Sequence, residues 1–210
     1  VLNKKEKQTL SKWSTSDINW FALFVETYKE RQVAKSLQTL CDFKSAGNYF
    51  VFVPTRDYCH QHKGVTTVRK VPWLNGYVFI ATYESASDCK KMVEMLMVNE
   101  TVIFRLLSYD GTRGATAMTD EDKILFNAVL DEDFHVSAIK AEISDDNKVV
   151  IKENSLESNG GRVVKVDRRN KSVLLEMNIL QKLLRYEVAL EFLIPENMQR
   201  VKKHETKIHW

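Results

Sequence analysis

VPWLNGYVFIAT, residues Val71 to Thr82, is a run of aromatic and β-branched residues entered through Pro72 and a turn at Asn75-Gly76. Residues of this kind fit the pleated, buried centre of a sheet. Trp73, at the turn, reads as packing. The open question is whether Tyr77 and Phe79 only fill a core or whether one of them meets a partner.

Upstream, NWFALFVE (Asn19 to Glu26) is apolar on both pleat faces, as an interior strand requires. Thr27 and Glu30 of TYKE have the spacing of a capping box. Val33, Leu37 and Leu40 follow at helical spacing, which predicts an amphipathic helix over Tyr28 to Cys41. YFVFVPT reads as a second strand ending at an edge at Pro54. CHQH, Cys59 to His62, reads as a polar hairpin loop, and KGVTTVRKV as a hairpin arm. Downstream, SASDCKKMVEMLMVN carries Cys89, Met92, Val93 and Leu96 on one helical face, and TVIFRLLS is a further strand. TDED caps a third helix through Ile124, Leu125 and Ala128, with acids where the helix dipole favours them. The order β-α-β-β-β-α-β-α over Asn19 to about Asp133 predicts one antiparallel sheet with helices packed on it.

After DEDF the pattern changes. HVSAIKAEI, KVVIKE, GRVVKVD, SVLLEMNI and LRYEVALEF are short, regularly spaced strands, the mark of a small all-β barrel. Val173, Leu175, Met177 and Ile179 alternate inward. Ile179, Leu183, Tyr186, Leu190 and Leu193 also fit a helical stripe, so periodicity alone leaves ILQKLLRYEVALEFL open between strand and helix.

The 210 residues, 44% hydrophobic and 28% charged, have an ordinary globular composition. No apolar run approaches the ~20 residues needed to cross a bilayer, so the chain reads as soluble and cytoplasmic, with no membrane partner. Residues 1–18 are basic and polar and read as a disordered leader; residues 196–210 read as a basic tail. Three widely spaced cysteines without a CxxC argue for a reducing compartment and against a disulfide scaffold. CHQH has no second ligand pair to complete a zinc site, so no metal or cofactor is expected. The net charge of +3 is small, but its distribution is uneven. Thr119 to Phe134 carries six acids and one lysine. Gly160 to Arg185 carries seven bases (Arg162, Lys165, Arg168, Arg169, Lys171, Lys182, Arg185) against Asp167 and Glu176. A basic module behind an acidic connector points to two domains, the second with a polyanionic partner.

NWFALFVETYKERQVAKSL, FVFVPTR, VPWLNGYVFIAT, VIFRLLSYDG and MTDED resemble the N-terminal domain of NusG-family transcription elongation factors. GRVVKVDRRNKSVLLEMNILQKLLRYEVALEFL resembles that family's KOW domain. The resemblance implies an α+β fold: an N-terminal antiparallel sheet with helices over 19–133, then a small all-β KOW barrel over 134–195. It resolves the ambiguous segment in favour of strand. Asn75 stands where the family often has Pro, Asn154-Ser155-Leu156 where the KOW entry is often Gly-Pro-hydrophobic, and Leu180-Gln181-Lys182 where Phe-Gly is common. LFVET and VKVDRRNKSVLLEM are similar to LoaP-type antiterminators, a specialised branch.

The resemblance implies a monomeric elongation and antitermination factor. Its N-terminal domain would dock an aromatic patch, Phe24, Tyr77 and Phe79, on the clamp helices of RNA polymerase. Its KOW domain would hold a nascent RNA hairpin through the seven bases above. Grouped bases can contact successive phosphates, and with no aromatic pair for stacking bases a hairpin read by shape is expected. Lys29 and Lys35 are weaker candidates for non-template DNA. The competing function is a general NusG factor whose KOW domain binds a protein. No catalytic residues are assigned: the sequence has no P-loop, nucleophile elbow, HExxH or GxGxxG after the first strand. A metal-dependent nuclease built from spatially clustered acids is the remote alternative.

Overall fold

The computed structural model describes residues 9–45, 47–62, 65–98, 102–108, 115–144, 146, 148–152, 158 and 160–193. A four-stranded antiparallel sheet has β1 (Asn19–Val25) and β5 (Tyr77–Thr82) at its centre, β2 (Tyr49–Phe52) at one edge and β6 (Ile103–Leu106) at the other. Alternation along β5 sends Val78 and Ile80 to one face and Tyr77, Phe79 and Ala81 to the other, and all five are buried. The first face packs on α2 (Glu30–Ser45) through Val33, Leu37 and Cys41. It also packs on α3 (Ala86–Met97) through the expected Cys89, Met92, Val93 and Leu96.

The opposite face carries α4 (Asp120–Val129), capped by Thr119, whose hydroxyl accepts from the Asp122 amide at 3.2 Å. Its buried stripe is Asp122, Phe126 and Val129 rather than the expected Ile124, Leu125 and Ala128; Ile124 is 65% exposed. The helix therefore presents an aromatic, which stands edge-on to Trp20 and tilted against Trp73 and Phe79.

Three expectations are corrected here. Residues 9–18 are not a disordered leader. They form α1 (Leu10–Trp13) and an approach in which Leu10, Trp13 and Ile18 are buried, and Trp20 Nε1 donates to the Trp13 carbonyl at 2.6 Å. Residues 1–8 and the basic tail, 196–210, lie outside the described residues. CHQH is not a loop: β3 (Thr55–His62) pairs along its whole length with β4 (Val65–Pro72), forming a second sheet with β7 (His135–Val136). The acidic stretch before β7 is not an open connector. Leu130 and Phe134 are buried, the Phe134 ring lies 4.4 Å from that of Phe52, and Glu132 accepts from the Ser11 amide and hydroxyl. Its hydrophobic residues anchor it while its acids cap backbone amides.

The C-terminal strands form a nearly closed small barrel, in the order β10 (Arg162–Asp167), β11 (Ser172–Ile179), β12 (Lys182–Phe192), β8 (Ile139–Ile143) and β9 (Val149–Ile151). Val173, Leu175, Met177 and Ile179 point inward as expected, at 1% exposure or less. ILQKLLRYEVALEFL is strand. It turns at Leu180-Gln181, where both residues have positive φ (55° and 58°), a two-residue hairpin made without the usual glycine. Asp122 on α4 accepts the Leu180 amide at 3.0 Å, and this bond pins the turn against the N-terminal half. The barrel interior and the α4 face of the first sheet share one hydrophobic core.

Candidate functional site

The turn that opens the deciding stretch is fixed from three sides. Gly76 has φ +79°, the Tyr77 amide donates to the Leu74 carbonyl at 3.3 Å, and the Val25 amide donates to the Gly76 carbonyl at 2.9 Å. A Cβ on Gly76 would lie 3.2 Å from the Val25 carbonyl oxygen and 3.3 Å from the Phe24 ring. Only glycine meets both the conformation and the approach. The expected capping box of TYKE does not form. α2 starts at Glu30, and the Glu30 carboxylate, 2% exposed, accepts the Gly76 amide at 2.7 Å instead. That bond ties α2 to the turn and sets where Tyr77 emerges.

Of the expected aromatic patch, Phe79 is fully buried against Phe52 and Phe126, and Tyr77 is 8% exposed. Phe24 is half-buried, 5.6 Å from Tyr77 and 5.3 Å from Phe104. Phe104, which the sequence reading did not single out, is 52% exposed. It sits on edge strand β6, where the register with β1 shifts between Phe24 and Val25. The shift leaves both Phe104 and Arg105 exposed. The signal was present in IFRL, an aromatic beside an arginine in a short strand. What the sequence hid was the shift in register that turns the ring outward. The result is a row, Tyr77–Phe24–Phe104, that rises from core to surface at the open edge of the sheet.

The seven barrel bases divide into three groups. Lys165, Arg168, Arg169 and Lys171 are exposed on and beside the β10–β11 loop. Asp167 at the base of that loop accepts the Asn170 amide, which holds its carboxyl below the usual range. Arg162 and Arg185 flank Glu176 on the neighbouring strand, at 2.5 and 2.7 Å from its two oxygens. These hydrogen bonds, the one from Arg185 foremost, keep the Glu176 carboxyl ionised to lower pH than usual. Lys182 lies at the other end of β11, ~24 Å from the tip at ~3.4 Å per residue. Lys35 is exposed on α2, and Lys29 is half-buried just before it. No cluster of metal-ligating side chains occurs among the described residues, and no helix there is long and apolar enough to cross a membrane.

A sheet with helices on both faces, followed by a nearly closed small barrel, is consistent with a NusG-type N-terminal domain and a KOW-like barrel. Residues 18–124 match the family model described as transcription termination factor nusG, and the chain belongs to the NusG family, whose members are transcription factors rather than enzymes. Among solved structures, the chain is similar to one titled for domain interaction in Thermotoga maritima NusG. The identity is 11%, the match covers 82% of this chain and 93% of that one, and the TM-score is 0.45. It is also similar to the MjSpt4:Spt5 complex in conformation B, at 14% identity, 81% and 91% coverage and TM-score 0.31. Conformation A gives 13% identity, 82% and 99% coverage and TM-score 0.30. No curated protein matches the sequence.

Proposed function

We propose that this chain is an elongation and antitermination factor that docks on RNA polymerase through the Tyr77–Phe24–Phe104 row. In this reading the β10–β11 tip of the barrel holds a nascent RNA hairpin, as the likeness to LoaP-type antiterminators suggests. The observation that carries the reading is the aromatic row opening at the β6 edge, with Phe104 52% exposed beside Phe24. Aromatics give a large contact area for little lost side-chain freedom and commonly anchor a helix lying across a groove. Arg105, exposed next to Phe104, adds a cation for acids on such a helix. The test is affinity for the polymerase clamp helices. Phe104→Ala is expected to weaken binding by ~2 kcal/mol, the scale of an interface hot spot, without loss of fold. Unchanged affinity in the folded variant would remove the row from the interface.

A second reading, a general NusG factor whose barrel binds a protein, draws on a different observation. Arg162 and Arg185 already share Glu176, and Leu183 and Val164 stand 62% and 41% exposed on the barrel. Exposed apolar side chains favour a protein partner over phosphates. The basic tip favours RNA: Lys165, Arg168, Arg169 and Lys171 are all exposed on and beside one loop, whose described residues include one acid, Asp167.

A further inference from the structure

Arg56, early in β3, is 9% exposed, and its Nε and Nη1 are buried with no hydrogen-bond partner in the protein. Its guanidinium stands over the Tyr58 ring at 5.4 Å. Burial works against the charge, and Glu187 offsets this only through space. A buried guanidinium is costly to desolvate, and proteins that keep one generally supply a partner. The neighbouring Trp73 Nε1, although beside the Tyr186 hydroxyl, also lacks a hydrogen bond of normal geometry. Both side chains line a cavity of about 330 Å³ between the two halves of the molecule, with Tyr77 on one side and Arg185, Tyr186 and Glu187 on the other.

We propose that this cavity binds a small aromatic phosphate of nucleoside-monophosphate size. Arg56 takes the phosphate through charge-assisted hydrogen bonds. Trp73, Tyr77 and Tyr186 provide the apolar walls against which a planar ring packs. Glu187 accepts from an exocyclic amino group. The volume lies at the lower end of small-molecule sites, enough for one nucleotide. Because both halves line the cavity, its occupant ties the barrel to the N-terminal sheet next to Tyr77.

The test is thermal unfolding of the whole chain with each of the four nucleoside 5′-monophosphates, and with inorganic phosphate and adenosine as separate probes. At least one nucleotide is expected to raise Tm by about 3–5 °C at ten times its Kd, more than either probe alone at the same concentration. Arg56→Met should weaken nucleotide binding about tenfold or more. It should leave the Tm without nucleotide unchanged or higher, since an apolar side chain of similar length replaces an unpaired charge. Should Arg56→Met not fold, Leu174→Phe, which narrows the cavity from the barrel side, must reduce the nucleotide shift. The proposal is overturned if no nucleotide moves Tm, if inorganic phosphate moves it as far, or if the shift survives in a folded Arg56→Met or Leu174→Phe protein.

Discussion

Trp73→Ala is expected to lower the free energy of unfolding by ~3–5 kcal/mol, a large share of what a domain of ordinary stability has. Trp73 is 1% exposed, with the Phe126 ring of α4 at 5.1 Å and the Tyr186 ring of β12 edge-on at 5.7 Å. It therefore joins three pieces of structure: the turn before β5, the helix on the sheet, and the barrel wall. Trp73→Phe keeps most of the contact area and should cost clearly less. Denaturant unfolding of both variants measures the difference. A loss under ~1 kcal/mol for Trp73→Ala would mean that the shared core contributes little to holding the two halves together.

Phe79→Ala is expected to cost a similar ~3–5 kcal/mol in stability. Phe79 is fully buried between Phe52, at 5.6 Å, and Phe126, at 5.1 Å. Removing its ring leaves a cavity that a sheet fixed by neighbours on both sides has little freedom to collapse. A core residue and an interface residue separate in one comparison: Phe79→Ala should lower the unfolding midpoint, whereas Phe104→Ala should lower partner affinity at unchanged stability. A Phe79→Ala protein of near wild-type stability that fails to bind the polymerase would reassign the ring to the interface.

The deciding stretch was legible as sheet because its aromatic and β-branched residues leave no polar face. The fully buried β5, both helices on its far side and the inward alternation of β11 all follow from such patterns. What was not legible depends on contacts distant in sequence. Glu30 looks like a capping-box residue from its spacing, but the Gly76 amide, 46 residues away, offers a buried donor that it satisfies instead. CHQH looks like a loop because it is polar, yet β4 supplies a hydrogen-bonding partner for it residue by residue. Leu10 and Trp13 look like part of a polar leader until Phe50 and the acidic stretch give them a surface to cover. At the candidate site, Phe24 and Tyr77 could be placed from the resemblance, while Phe104 needed the shifted β1–β6 register to be noticed. The basic face read as one group of seven, because pairing of Arg162 and Arg185 with Glu176 across three strands is set by register and not by order in the chain.

Whether the barrel tip holds RNA is tested most directly by the affinity of the whole chain for a structured RNA hairpin at two salt concentrations, wild type against Lys165→Ala with Arg169→Ala. Both side chains are exposed and outside the core, so the double variant should stay within ~0.5 kcal/mol of wild-type stability per site. If each contacts one phosphate, the slope of log affinity against log salt should fall by about 1.4 to 1.8, at 0.7–0.9 per phosphate. The loss should be similar for hairpins of different sequence, because phosphate contacts position without specifying. RNA binding at the barrel tip predicts wild-type binding well tighter than ~10⁻⁴ M at physiological salt and a shallower slope in the double variant. Wild-type binding no tighter than that non-specific range, or a slope unchanged by the two substitutions, would contradict it.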